Sequence, residues 1–184
     1  MNHHDMTRNM VLAALFAALT AIGAFLQIPT GTVPITLQFL FTAMAGLLLG
    51  WKWGAVSQLL YVGIGLLGLP VFTQGGGIGY VLQPSFGFLL GLIPAAAVIG
   101  ALTARRTGYL TVLATVLVGD LILYAVGVPY MYLILHVYMQ SAKTFPALLA
   151  AMLVYVPGDT LKIVVVTALA PVLRRTLAKA VPNL

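Results

Sequence analysis

Long apolar runs dominate the chain, and short segments that are polar or rich in glycine and proline separate them. A helix that crosses a bilayer needs roughly 20 mainly apolar residues, because each residue rises only about 1.5 Å through about 30 Å of hydrocarbon. The runs therefore predict an all-α membrane protein with six transmembrane helices in a single domain, residues 1–184. The expected spans are residues 10–26, 37–49, 53–67, 83–104, 109–126 and 157–173.

Composition supports a lipid environment. Hydrophobic residues make up 61% of the chain and charged residues 7%, whereas a soluble domain carries roughly 25% charged residues. The formal net charge is +6, but the basic residues stand at the ends of apolar runs, as membrane topology requires, so we expect membrane lipid rather than nucleic acid around the protein. The chain has no cysteine, which excludes disulfides and thiolate chemistry.

The basic residues also predict the orientation, because lysine and arginine concentrate on the cytoplasmic side of membrane proteins. With six spans and a cytoplasmic N-terminus, Lys143 lies outside and Lys162 lies within a span. The other basic residues then face the cytoplasm, which predicts that both termini are cytoplasmic. They are Arg8, Lys52, Arg105, Arg106, Arg174, Arg175 and Lys179.

The three outer connections of this topology are long and rich in glycine, proline or aromatic residues. They cover residues 27–36, 68–83 and 127–146, whereas the inner connections are short. Binding residues are found disproportionately on loops that a rigid scaffold holds in place. The pattern therefore predicts a binding site near the outer face.

Two charged residues of the sixth span are the main candidates for that site. Pro157 suits the first turn of a helix, Asp159 then complements the positive helix end, and Lys162 lies three residues later on the same face. Arg174 follows Lys162 at about 18 Å along a helix, which places the pair in the outer half of the bilayer. Charges at that depth usually mark a functional site. The alternative is a structural ion pair that fixes helix packing.

Catalytic motifs are absent from the sequence. It contains no G-x-x-x-x-G-K-[ST] phosphate loop, and H-E-x-x-H is impossible because the chain has no glutamate. We therefore predict neither an enzyme nor a metal site. One alternative is an intramembrane enzyme that uses Asp120 and Asp159 as paired acids. For Asp120, in the middle of the fifth span, pairing with Lys162 and lining a wet cavity are further alternatives.

Several motifs together resemble one known family. They are VPITLQ at residues 33–38, GLPVF at 68–72, the glycine-rich stretch at 75–79, and PGDTLK at 157–162. Through these motifs the chain resembles the BioY family, which comprises the biotin-binding S components of energy-coupling factor (ECF) transporters. The resemblance implies the S-component fold, a multi-pass location in the prokaryotic plasma membrane, and biotin as transported ligand without a cofactor. It also implies two partners, a transmembrane coupling protein and a pair of ATPases.

Biotin has a ureido ring, an apolar sulfur ring and a carboxylate, and the resemblance suggests residues for each. Asp159 suits the ureido N–H groups, while Lys162 either donates to the ureido oxygen or neutralises the carboxylate. An S component for another vitamin, such as thiamine or riboflavin, and a structural subunit without a ligand remain alternatives. The other candidate binding residues are Thr36, Gln38 and Gln83 as polar contacts, Phe72, Tyr80 and Phe86 as walls, and Gly76 and Gly77 as points of close backbone approach.

Small residues on the first helix form a second candidate surface. Ala13 and Ala17 lie four residues apart, as do Ala14 and Ala18, and this spacing lets helices approach closely in lipid. The resemblance implies that such a face docks on the coupling protein. Internal packing of the helix bundle is the alternative.

Overall fold

The computed structural model describes residues 3–30, 33–104 and 108–180, which are predominantly helical. Two short strands, β1 (Gln27–Ile28) and β2 (Ile35–Thr36), pair antiparallel with Gln27 opposite Thr36. Short 3-10 helices cover Ile78–Leu82 and Met152–Val154, and a π-helical turn covers Ile134–Tyr138. The α-helices are α1 (His3–Phe25), α2 (Gln38–Leu66), α3 (Phe86–Leu102), α4 (Tyr109–Leu133), α5 (Phe145–Ala151) and α6 (Val156–Ala180).

Helix α2 folds back on itself at Gly50, whose φ of 77° lies in the left-handed region that favours glycine. Residues equally distant from Gly50 face each other across the two arms. Thr42 Oγ1 donates to Gln58 Oε1 at 2.9 Å, and a Cβ on Gly54 would lie 2.8 Å from Gly46 Cα. The arms are therefore antiparallel, and they correspond to the predicted spans 37–49 and 53–67.

Within the described residues, four helical segments are long and apolar enough to cross a membrane, namely Asp5–Phe25, Gln38–Leu66, Tyr109–Tyr138 and Val156–Arg174. The segment Gln38–Leu66 contains both arms of α2, and α3 is slightly shorter than the others. The chain is thus a helical, multi-pass membrane protein.

The ends of several helices differ from the ends of the expected spans, because a polar or turn-forming residue does not always terminate a helix. Helix α4 continues past the expected end at 126, through Pro129, and α6 continues past 173 to Ala180. Helix α3 begins at Phe86 rather than 83, because Gln83 has extended backbone after the 3-10 helix. Arg105 and Arg106, which support the predicted orientation, lie outside the described residues, as do the side chains of Arg175 and Lys179.

Packing of the long helices leaves a gap between α3 and α6, which residues 33–36 help to line. Helices α3 and α6 each pack against α2 and α4, whereas in the described residues they have no extensive contact with each other. Strand β2 lies beside the start of α2, where the Leu37 amide donates to Gly23 O at 3.0 Å. This bond holds the loop of residues 27–36 between the end of α1 and the start of α2.

The alanines of α1 divide between two faces. Ala13 and Ala17 are buried in the core, whereas Ala14 and Ala18 are exposed. The same helix therefore carries two rows of small residues, one that faces the protein core and one that is exposed.

Candidate ligand-binding site

A buried ion pair lies in the first turns of α6. Lys162 Nζ is 2.5 Å from Asp159 Oδ1, and the side chains are only 9% and 8% exposed. The other carboxylate oxygen, Oδ2, accepts a hydrogen bond from the Tyr124 hydroxyl on α4. Lys162 Nζ also donates to Thr36 O of β2 at 3.2 Å. The predicted pair therefore forms, and it joins α6 to α4 and to the first outer loop.

These partners explain how two charges are tolerated here. A charged side chain away from water costs several kcal/mol unless it is paired and hydrogen-bonded. Asp159 has a partner on each oxygen, and Lys162 has two acceptors. The pair carries no net charge, so its local field is that of a dipole rather than of a single ion.

The pair forms part of the wall of a cavity between α3 and α6. The cavity encloses about 620 Å³ when the open space at its mouth is included. Five of the predicted binding residues line it, which are Thr36, Gln38, Tyr80, Asp159 and Lys162. The other lining residues are Val33, Pro34, Ile35, Phe39, Thr73, Ser85, Phe88, Leu89, Leu92, Leu123, Tyr124, Met152 and Tyr155.

Gln38 is oriented by a chain of hydrogen bonds beside the ion pair. Its Oε1 accepts from Thr36 Oγ1 at 2.9 Å, and its Nε2 donates to the Tyr61 hydroxyl at 2.7 Å. Tyr61 in turn donates to Val71 O at 3.1 Å. The amide is therefore fixed from both ends, and β2 is linked to the loop after α2.

The remaining predicted residues lie around the cavity rather than on its wall. Phe72 is 1% exposed and packs behind Tyr80 with ring centroids 4.6 Å apart. Phe86 is also buried, with its ring centroid 6.4 Å from that of Tyr80. Gln83 is exposed at the end of the 3-10 helix. Contact of these three side chains with a ligand stays a prediction.

Gly76 and Gly77 fold the second outer loop onto the end of α2. The Gly77 amide donates to Gly65 O at 2.7 Å, and its φ is 100°. A Cβ on Gly76 would lie 2.1 Å from Leu69 O. Both glycines thus serve the loop's own fold, and their approach to a ligand also stays a prediction.

Two tyrosines that sequence reasoning missed hold the site together. Tyr124 hydrogen-bonds Asp159. Tyr155, just before α6, donates to Val33 O and lies 3.0 Å from Thr30 Oγ1, which fastens the first outer loop to α6. A hydroxyl within an apolar span needs a partner. This signal applies to Tyr124, but the sequence does not identify Asp159 as its partner.

Three hydroxyl groups form a second polar cluster on the cavity wall. Thr73 Oγ1 lies 2.9 Å from the Tyr80 hydroxyl, which lies 3.4 Å from Ser85 Oγ. Thr73 and Ser85 were not predicted, because isolated small hydroxyl residues in a loop and at a helix start carry no distinctive pattern.

Asp120 does not line the cavity. Its Oδ1 is buried without a hydrogen-bond partner among the described residues. Asp159 already engages Lys162 and Tyr124 through its two oxygens. A pair of acids that share a substrate needs both carboxylates free to exchange protons, and this arrangement does not provide that.

The fold and the cavity define a multi-pass membrane protein with an internal binding site for a small molecule. The model of the BioY family matches residues 1–179, and the chain belongs to that family. It is 54% identical over 142 residues, 76% of this chain and 72% of the other, to a probable biotin transporter BioY of Lysinibacillus sphaericus. It is 38% identical to the biotin transporter BioY of Rhodobacter capsulatus, with 97% of each chain covered.

A solved structure shares the whole fold. The crystal structure of the S-component for biotin from an ECF-type ABC transporter superposes with a TM-score of 0.83 at 29% identity, covering 95% of each chain. The S-component fold expected from the sequence is therefore confirmed at the level of overall architecture. The family consists of transport proteins, so the enzyme alternative is not supported.

Proposed function

We propose that this protein is the biotin-binding S component of an ECF transporter. It captures biotin near the outer face of a prokaryotic plasma membrane and passes it inward. A transmembrane coupling protein and a pair of ATPases supply the energy. The protein itself catalyses no reaction and needs no cofactor, because binding and release of the ligand are its whole chemistry.

The observation that carries this proposal is the buried Asp159–Lys162 pair on the cavity wall. The carboxylate of Asp159 accepts hydrogen bonds, which suits the two ureido N–H groups of biotin, and Lys162 has a donor left for the ureido oxygen. Phe39, Leu89 and Leu92 supply an apolar surface for the sulfur ring. A cavity with few polar groups on an apolar wall is the usual design of a small-molecule site.

The proposed topology has six membrane crossings with both termini in the cytoplasm. The two arms of α2 supply two crossings, and α1, α3, α4 and α6 supply the others. The site then lies in the outer half of the bilayer. We propose that the exposed Ala14 and Ala18 dock on the coupling protein, and that the buried Ala13 and Ala17 pack within the chain.

Purified protein without ATP tests the ligand. A ligand that binds only the folded state raises the thermal midpoint, so biotin is expected to raise it while thiamine and riboflavin leave it unchanged. A shift with another vitamin alone would make the protein an S component for that vitamin. No shift with any of them, supported by a flat calorimetric titration with biotin, would contradict the proposed function.

A further inference from the structure

A buried polar network joins α1 to the two arms of α2. At its centre, Gln58 Nε2 donates to Thr20 Oγ1 of α1 at 3.3 Å and to Ser57 Oγ at 3.0 Å. The other end of the amide, Oε1, accepts from Thr42 Oγ1 at 2.9 Å. All four side chains are fully buried. Three helical segments therefore meet at one amide, about 12 Å along the helix from the turn at Gly50.

The hydroxyl groups of Thr20 and Ser57 are both oriented as acceptors toward Gln58. Thr20 Oγ1 gives its own hydrogen to Phe16 O at 2.8 Å, and Ser57 Oγ gives its own to Gly54 O at 2.7 Å. The two N–H groups of the Gln58 amide supply the donors. A rotation of α1 that carries Thr20 away from Gln58 would leave one of these N–H groups unpaired in the interior, which is unfavourable where no water replaces the bond.

Apolar packing alone does not determine the rotation of α1. Among the described residues, the helix packs extensively against α2 and only slightly against other elements. The buried row of Ala13 and Ala17 and the exposed row of Ala14 and Ala18 are offset by one residue, which corresponds to about 100° around the helix. A turn of that size would bring the second row to the place of the first. Because lipid is as apolar as the protein core, the two rotations differ little in apolar burial.

The same turn would change the exposed face of α1. It would move Leu15 and Leu19 to the place that Ala14 and Ala18 occupy in this structure. Small residues let a neighbouring helix approach closely in lipid, whereas leucines would hold it further away. The rotation of α1 therefore decides whether this face admits a close partner.

One buried polar contact is able to fix a register that apolar contacts leave open, as a buried asparagine does in coiled coils. We propose that the Thr20–Gln58 hydrogen bond fixes the rotation of α1 on α2 and thereby selects Ala14 and Ala18 as the row that faces a partner helix. The rotation stands on the geometry alone. The assignment of that partner to the coupling protein rests on the proposed function.

Spin labels on single cysteines measure the rotation, because the chain has no cysteine of its own. Labels at Ala18→Cys and Leu19→Cys lie at nearly the same depth, but Ala18 is exposed and Leu19 is half-buried. The ratio of their accessibilities to dissolved oxygen in reconstituted bilayers therefore exceeds one in the wild-type background. In Thr20→Val and in Gln58→Leu we expect the ratio to fall toward one, since a hydrogen bond between membrane helices shifts an equilibrium about threefold to twentyfold.

Thr167→Val is the matched control. Thr167 is as fully buried as Thr20 and likewise bonds the carbonyl one turn earlier, Ile163 O at 2.7 Å, but it lies on α6 and is not part of the network. Its removal is expected to leave the ratio unchanged. An unchanged ratio in Thr20→Val and Gln58→Leu, or an equal fall in Thr167→Val, would overturn the inference. A lower thermal midpoint without a change in ratio would mean that the network only stabilises the fold, and would overturn it as well.

Thr20→Val is the milder variant, because it leaves Gln58 bonded to Thr42 and Ser57, and it decides the question if Gln58→Leu does not fold. Association with the co-purified coupling protein then separates this inference from the proposed function. Both variants are expected to weaken that association about threefold or more, and to change biotin affinity less than about twofold, because neither residue lines the cavity. A fallen ratio with unchanged association supports the fixed rotation and contradicts the proposed docking of Ala14 and Ala18.

Discussion

Two cations on α6 lie in different surroundings. Lys162, near the N-terminal end of α6, pairs with Asp159 and lines the cavity. Arg174, about 18 Å further along the helix, has no carboxylate within ion-pair distance among the described residues. Its guanidinium instead donates to Leu47 O at 2.8 Å and to Thr103 O at 3.2 Å.

The partners of Arg174 are carbonyls at helix ends. Leu47 lies in the last turn before the break at Gly50, and Thr103 caps the C-terminus of α3. Carbonyls there have no partner within their own helix and carry partial negative charge, so an arginine stabilises two helices at once. A partly buried cation such as Arg174 is therefore not by itself a binding site. The cavity beside Lys162 and the pairing of its charge with Asp159 distinguish the surroundings of Lys162 from those of Arg174.

Among the substitutions that test the comparison of the two cations, the largest loss of biotin affinity is expected at Asp159. Asp159→Asn keeps the shape of the side chain but leaves Lys162 as a buried charge without its counter-ion, and removing one partner of a buried pair costs about 3–5 kcal/mol. We expect biotin affinity to fall at least about a hundredfold, as measured by calorimetric titration.

A matched control exists on α1. Asp5 and Arg8 have the same spacing of three residues but lie 3.5 Å apart with side chains 31% and 26% exposed. Exposed pairs contribute about 0–1 kcal/mol, so Asp5→Asn is expected to leave biotin affinity unchanged. Unchanged affinity in Asp159→Asn as well would remove the ion pair from the site.

A smaller effect is expected at Tyr124. Tyr124→Phe removes only the hydroxyl that orients Asp159, and the loss of one hydrogen bond to a charged group costs about 1.5–3 kcal/mol. Part of this cost also falls on the ligand-free protein, so we expect biotin affinity to drop about tenfold by titration. Tyr109→Phe, on the exposed start of the same helix, is the control. Equal small changes in both variants would show that Asp159 is oriented without Tyr124.

The contrast between these residues also explains what the sequence could predict. Asp159 and Lys162 were found because charges are rare in apolar runs, and their spacing of three residues places them on one face. The turn at Gly50 and the long outer loops were likewise visible as breaks in apolar runs. Each of these signals is local in the chain.

Contacts across the bundle were not predictable in the same way. Lipid is as apolar as the protein core, so hydrophobic periodicity does not show which face of α4 turns inward, and Tyr124 had no visible partner. The β1–β2 pair consists of two residues on each side, too few for an alternating pattern. Phe72 and Phe86 are buried and pack beside Tyr80, and their expected contact with a ligand stays a prediction.

The smallest effect on affinity is expected at Arg174, the second cation of the comparison. Arg174→Gln removes a charged donor from carbonyls that then lack partners, which we expect to lower the free energy of unfolding by about 1–3 kcal/mol, measured as a lower thermal midpoint. Biotin affinity is expected to change less than about threefold, because Arg174 does not contact the cavity. Arg174→Lys, which keeps the charge but not the planar fork, should lie between wild type and Arg174→Gln in stability. A hundredfold loss of affinity in either variant would show that the two ends of α6 are energetically coupled, and the separation into a binding cation and a structural cation would be wrong.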